Sequence, residues 1–253
     1  MTVWSFYRNL CELYPKSLSC DWDNDGLMCC ADGEREVKKV LVSLDATKEA
    51  ILYAAEGGFD TLFVHHPLIF RGISALTTED PVQERVLLAA KNGITVISLH
   101  TRLDCGTGGV NDTLAEILEL ENVRSFGDSE YPHFGRIGET SFDTPEALCE
   151  KIKKATGAEK IIGYVCREVK TVAVVGGSAG EFIEAAKVAG ADTVVTGECK
   201  YHEGLDAMES GINVFAAGHY FTEMPVTETL RRLAENMTGA QTEIFAKIPE
   251  KTY

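Results

Sequence analysis

VKKVLVSLDATKEAILYAAEGGFDTLFV, residues 37–64, returns at residues 169–196 as VKTVAVVGGSAGEFIEAAKVAGADTVVT, a shift of 132 positions without a gap. Val37, Lys38, Val40 and Val42 meet Val169, Lys170, Val172 and Val174. Glu49, Ile51 and Ala54 meet Glu181, Ile183 and Ala186, and Gly58, Asp60 and Thr61 meet Gly190, Asp192 and Thr193. Each copy reads as a branched apolar run, an Ala-rich helical stretch, a glycine turn and a second branched run, hence strand–helix–strand. Branched residues, Ala and Gly recur in any such unit. The match also includes polar Lys, Glu, Asp and Thr, which a core does not require, and so points to an internal duplication.

The register continues outward if one residue slips. NGITVISLH, ending at His100, then faces SGINVFAAGH, ending at His219, and Asp104 meets Glu223. Each half therefore closes a strand with His-x-x-x-carboxylate. Around these units, strands and helices alternate along the whole chain. Val3, Phe6, Tyr7, Leu10 and Leu13 mark a first helix at helical spacing. Asp80-Pro81 with Gln83 opens a helix by a capping-box pattern with Pro at the first position, and Thr144-Pro145 opens another. Strands alternating with helices imply an α/β fold with mixed, mainly parallel sheets and helices packed outside. The pattern breaks at FGDSEYPHFG, within residues 122–138. The expected division is a first lobe over 1–125, with the segment 222–253 packing on it, and a second lobe over 126–221.

The formal net charge of -15 disfavours a phosphate backbone as partner, so no nucleic-acid role is expected. Arg8 and Glu12 interrupt the N-terminal stretch, and no apolar run nears a membrane span. A cytoplasmic location without membrane association is therefore expected. The eight cysteines include no CxxC pair and are expected to be free thiols, with Cys199 singled out by its place in a motif.

Five of the six histidines sit at the ends of four expected strands: His65 and His66 after TLFV, His100 after TVISL, His202 after TVVTG, and His219 after NVFAA. His133 lies in the irregular middle and reads as a solvated loop residue. Ligands gather at the carboxyl ends of strands in open α/β sheets. Imidazole and carboxylate donors without thiolate suit Zn, Mn, Fe, Co or Ni, and a carboxylate such as Asp104 or Glu223 can bridge two ions. Gly176, Gly177 and Gly180 form a strand-to-helix turn that reads either as a simple tight turn or as a phosphate cradle.

The stretches DWDNDGL, VHHPLIF, HTRLDCGTGGVND, VVGGSAG, GECKYH and GHYFTE run from residue 21 to residue 223. In this order they resemble the Nif-three-like dinuclear metal-centre family, whose members are often named GTP cyclohydrolase I type 2 homologues. The resemblance implies two divalent transition-metal ions held by His65, His66, Asp104, His219 and Glu223. It implies two α/β lobes of similar topology with the site in the cleft between them, and a homohexamer. Two positions depart from the family's pattern: Arg102 stands where Asn is usual, and Glu198 where Asp is usual. Arg102 is expected to add a cation near the metals. His100 is expected to orient a ligand from behind. His100 and His202 are the candidate catalytic acids, with Lys200 and Tyr201 as possible cleft contacts, and Asn24 and Gly26 read as scaffold at the rim. The expected function is metal-dependent hydrolysis of a nucleotide or other small phosphorylated substrate, of the ring-opening cyclohydrolase kind. The other reading is a non-enzymatic protein that binds, delivers or regulates through metal.

Overall fold

The computed structural model describes residues 1–249; the last part of the expected C-terminal segment, 250–253, lies outside the described residues. The chain divides into two compact units. Met1–Gly106 with the segment that begins at Thr227 forms one, and Thr107–Val226 forms the other.

The first unit carries α1 (Val3–Leu13), β1 (Gly26–Cys29), β2 (Lys39–Ser43), α2 (Lys48–Glu56), β3 (Thr61–Val64), α3 (Pro81–Lys91), β4 (Thr95–Ser98) and α4 (Thr101–Cys105). The second carries α5 (Val110–Ile117), β5 (Glu121–Phe126), β6 (Gly135–Glu139), α6 (Pro145–Thr156), β7 (Ile162–Tyr164), β8 (Thr171–Ser178), α7 (Ile183–Val188), β9 (Thr193–Glu198), α8 (Tyr201–Glu209), β10 (Asn213–Ala216) and α9 (His219–Glu223). α10 (Val226–Thr238) and β11 (Gln241–Phe245) then return to the first unit, where β11 pairs in parallel with β2.

The first sheet runs β1-β4-β3-β2-β11, parallel except for the edge strand β1. The second runs β5-β6-β8-β9-β10-β7, with a parallel centre of β8, β9 and β10 and antiparallel strands on both flanks. Both sheets are mixed and helix-covered, as the sequence implied. The central strands are buried along their length because helices cover both faces, which is why they read as unbroken branched runs.

The helix starts follow their sequence signals. Thr47 accepts from Ala50 N, Asp80 from Val82 N and Gln83 N, and Thr144 from Ala147 N. α6 closes on Gly157 in the left-handed conformation, at φ +79°.

The division falls at Gly106 and Val226, not at the expected 125 and 221, because helix α5 belongs with the second core. Leu114, Ala115 and Leu118 pack there with Val172, Val174 and Val195. The irregular stretch between residues 122 and 138 is therefore inside a unit. It is the β5–β6 hairpin, whose connection is fastened where Asp128 accepts from the amides of Glu130 and Tyr131.

The 132-residue repeat persists in the pairing. Val40, Leu41, Val42 and Ser43 face Thr61, Leu62, Phe63 and Val64, and Val172, Ala173, Val174 and Val175 face Thr193, Val194, Val195 and Thr196. Every pair in one copy is the other shifted by 132. The repeated polar residues have a structural duty. Asp60 accepts from the amides of Lys38 and Lys39 and from the Thr61 hydroxyl; Asp192 accepts from the amides of Lys170 and Thr171 and from the Thr193 hydroxyl. These carboxylates tie the start of one strand to the start of the next, so the fold does require Asp and Thr here, contrary to the expectation that it would not.

Candidate metal centre

In the first unit, parallel strands β3 and β4 end side by side. Leu99 N donates to Val64 O at 3.0 Å, so the residues just past the strands, His65, His66 and His100, emerge together. Their rings lie with centroids 4.9 to 5.5 Å apart, and one ligating atom from each falls within 4.8 Å of the others. Each ring is held from behind through Nδ1: His65 by Leu99 O at 2.9 Å, His66 by Asp45 Oδ1 at 2.8 Å, and His100 by Asp23 Oδ1 at 2.8 Å. An acceptor at Nδ1 places the proton there and makes Nε2 the basic nitrogen, the arrangement found behind metal-bound histidines. Asp104, on α4, brings Oδ1 to 3.6 Å from His65 Nε2, and both side chains are almost wholly buried. These N/O donors suit a borderline divalent cation; His100, expected behind a ligand, instead stands beside His65 and His66 with Asp23 behind it.

The supports of this cluster come from DWDNDGL. Asp23 Oδ2 accepts from the Thr101 amide at 3.1 Å and from its hydroxyl at 2.6 Å, while Asp25 Oδ2 accepts from His100 N at 3.1 Å. Two carboxylates thus satisfy the amides at the start of α4, where the helix carries partial positive charge. Burial alone would raise both pKa values. Burial is the largest single influence on each, but for Asp23 the hydrogen bond and charge of His100 and the bond from Thr101 together outweigh it, and for Asp25 the bonds from Arg102, Lys16 and the His100 amide together do so and hold the carboxyl well below the ordinary range.

In the second unit, His219 and Glu223 lie one turn apart on α9, with His219 Nε2 3.1 Å from Glu223 Oε2. Glu223 is buried and His219 is partly exposed. The carboxylate lies against the end of β8. Gly177, at φ +69°, leaves the space that it fills: a Cβ there would overlap the Glu223 carboxylate and stand 3.3 Å from His219 Nε2.

Residues 1–251 match the family model described as Duf34/NIF3 (NGG1p interacting factor 3). The chain belongs to the Duf34/NIF3 family. Among curated relatives, a GTP cyclohydrolase 1 type 2 homolog from Clostridium perfringens is 36% identical over 222 residues, covering 85% of this chain and 84% of that protein. The protein NIF3 homolog of Schizosaccharomyces pombe is 33% identical over 230 residues, covering 84% and 81%. Among solved structures, a hypothetical protein from Staphylococcus aureus superposes with a TM-score of 0.91 at 26% identity, covering 100% of this chain and 99% of that one. Reduced HcgD from Methanocaldococcus jannaschii gives 0.83 at 28% identity, covering 96% and 97%.

Set against the Duf34/NIF3 pattern, the Arg102 departure has a different meaning from the one expected. The side chain has no exposed surface. Its Nε and Nη2 clasp Asp25 at 2.7 and 2.8 Å, and Nη1 donates to Tyr14 O at 3.2 Å. Residue 102 is on α4 two positions before Asp104, so its side chain leaves the helix toward α1 and Asp25. Arg102 is an internal strut, not a cation offered to a ligand. Glu198, the other departure, is exposed, with Oε1 3.6 Å from His219 Nδ1, too far for a hydrogen bond.

The phosphate-cradle reading of the glycine turn is also corrected. Gly176 N donates to Asn111 Oδ1 at 2.8 Å and Gly177 N to Thr222 Oγ1 at 3.1 Å, so these amides are already used. A Cβ at Gly180 would overlap the Glu203 carboxylate. His202 is exposed on the first turn of α8, beside Glu203, whose carboxylate receives Lys200 N and Nζ. His133 meets Ser125 Oγ at 3.1 Å on the surface, and Tyr201 is exposed. Asn24 Nδ2 donates to Ile69 O at 2.6 Å, and Gly26 takes φ +127° beneath Tyr7. All eight cysteines are free, and burial raises the Cys199 thiol pKa.

Proposed function

We propose that this protein binds two divalent transition-metal ions through His65, His66, Asp104, His219 and Glu223, and uses them to hydrolyse a small nucleotide-like substrate. The observation that carries the reading is the set of three imidazoles anchored at Nδ1 beside a buried carboxylate. A histidine needed only for packing has no reason to share this orientation with two others. The His219–Glu223 pair carries the strand-end His-x-x-x-carboxylate pattern in the second half. A bound pair of divalent ions would acidify a shared water toward neutrality and polarise the group under attack.

The chain's own residues supply the rest. Asp23 holds His100 with its proton on Nδ1, which leaves Nε2 to accept a proton from water and return it to a departing nitrogen. His202, exposed on α8, is the second candidate for protonating the leaving group. The buried Asp25–Arg102 pair keeps α4, and with it Asp104, in place. The names of the relatives point to a purine nucleotide, whose ring opens when water adds to a ring carbon and the carbon–nitrogen bond breaks with proton transfer to nitrogen. The protein is proposed to work in the cytoplasm as a homo-oligomer, with six chains as the expected number. No helix among the described residues is long and apolar enough to cross a membrane.

The test is turnover of GTP and of generic phosphoesters by metal-loaded protein. Activity that disappears with a chelator, returns with metal and rises through a pKa near neutrality supports the hydrolase. Full metal content with no turnover on any of these substrates favours the metal-delivery reading instead.

A further inference from the structure

Two large rings stand in water beside the imidazole cluster, and packing does not explain them. Trp22 is 56% exposed and Phe70 43% exposed. They meet edge-on at 6.0 Å between centroids, and each also meets the His100 ring edge-on, at 6.2 and 6.1 Å. They come from separate segments, the one before β1 and the one after His66. Asn24 staples those segments by donating to Ile69 O at 2.6 Å, one residue before Phe70. The rings are thus held in place although nothing in this unit covers them. Next to Phe70 lies a cavity of about 410 Å³, lined among others by Pro67, Arg71 and Arg85. Its lining sets two cations against one carboxylate, Asp80, whose Oδ1 already accepts from the amides of Val82 and Gln83; Arg71 is exposed, while Arg85 donates to Pro81 O and Ala46 O through Nε and Nη1.

We propose that Trp22 and Phe70 form the stacking platform for a planar heteroaromatic ring, and that Arg71 and Arg85 draw the anionic part of the same molecule. Aromatic side chains bind any base through its π-face, and arginine suits phosphate or carboxylate. Trp22 and Phe70 touch His100 directly, so a ring on this platform borders the basic nitrogens of the cluster. They are specificity-determining residues that admit flat heteroaromatic substrates over sugar phosphates. The inference rests on the hydrolase reading for its biological use, but its test reads binding at equilibrium and not turnover.

Trp4 and Trp22 are the only tryptophans, so Trp4→Phe leaves Trp22 as the sole indole reporter. Metal-loaded Trp4→Phe protein is titrated with guanosine monophosphate and with ribose 5-phosphate, which differ by the ring alone. The expected result is saturable quenching of Trp22 by the nucleotide and none by the sugar phosphate. Adding Phe70→Ala, or Phe70→Leu to keep apolar bulk, should weaken nucleotide binding about 5- to 100-fold, from the usual worth of one stacked base, with metal content unchanged. Absent quenching, equal binding of both probes, or unchanged affinity in both Phe70 variants would overturn the platform. So would a Trp22 shielded from acrylamide in the ligand-free protein, which would mean that a second copy of the chain covers it. Failure to turn over any nucleotide would count against the hydrolase and leave the platform standing.

Discussion

Gly177→Ala should weaken both the fold and the metal site, and Gly58→Ala separates the two effects. The residues share a left-handed backbone, at φ +69° and +68°. An alanine pays roughly 1–2 kcal/mol for that conformation at either place. At Gly58 nothing lies within 4 Å of the added Cβ, so the backbone term stands alone. At Gly177 the Cβ overlaps the Glu223 carboxylate, whose residue is only 4% exposed. Moving that carboxylate disrupts its interaction with His219, and displacing a buried charged partner costs about 1–3 kcal/mol more. Urea unfolding in the presence of a chelator should therefore show a loss of about 1–2 kcal/mol for Gly58→Ala and about 2–5 kcal/mol for Gly177→Ala. Elemental analysis should show metal retained in the first and lost in the second. Equal stability losses with full metal content in both variants would refute the claim that Gly177 makes room for a ligand.

Asp45→Ala removes the acceptor behind His66 and should lower metal affinity about 10- to 100-fold with little change in stability, measured by competition with a chelating dye and by urea unfolding. Arg102→Met leaves the buried Asp25 carboxylate with Lys16, Ser19 and the His100 amide as its remaining partners and should cost about 1–3 kcal/mol in urea unfolding; a neutral result would remove Arg102 from the supports of α4. The lowered pKa of Asp25 gives a pH signature of definite sign. The folded carboxylate stays charged where an unfolded one, at about 3.9, takes up a proton. Its contribution is complete above pH ~4 and is lost as pH falls toward the folded value. Stability should drop on that acid limb in the wild type and drop less steeply in Asp25→Asn. Light scattering should report an oligomer near six chains; a monomer would remove that part of the proposal.

The repeat, the helix starts and the strand-end histidines were readable because each follows from local chemistry or spacing. The matching pairing register was already contained in the ungapped 132-residue shift. Edge elements were harder. β5, ENVRSF, is largely exposed and mixes polar with apolar residues, and β1, GLMC, is short and has no β-branched residue, so neither stands out as a strand in the way β3 or β9 does. The supports were harder still. Asp23, Asp25 and Asp45 lie 75 or more and 21 residues from the groups they hold, His100 and His66, and an aspartate in a polar stretch reads as a loop residue. The signal that could have found Asp23 and Asp25 is the run of three aspartates within five residues in DWDNDGL, which is more acid than a simple rim needs. Arg102 misled for a similar reason. Proximity in sequence to Asp104 suggested a shared direction, but residues two apart on a helix point to different sides. Gly177 showed only as one of several glycines; its duty depends on Glu223, 46 positions later, arriving against the same strand end.

The most direct test of the account is metal analysis of protein purified without chelator or added metal, alongside Asp104→Ala and Glu223→Ala. Two transition-metal ions per chain are predicted for the wild type. Each variant should lose at least one ion while circular dichroism shows the fold intact. A wild type free of metal even after reconstitution with zinc, iron, manganese, cobalt and nickel, or full metal content in both variants, would contradict it.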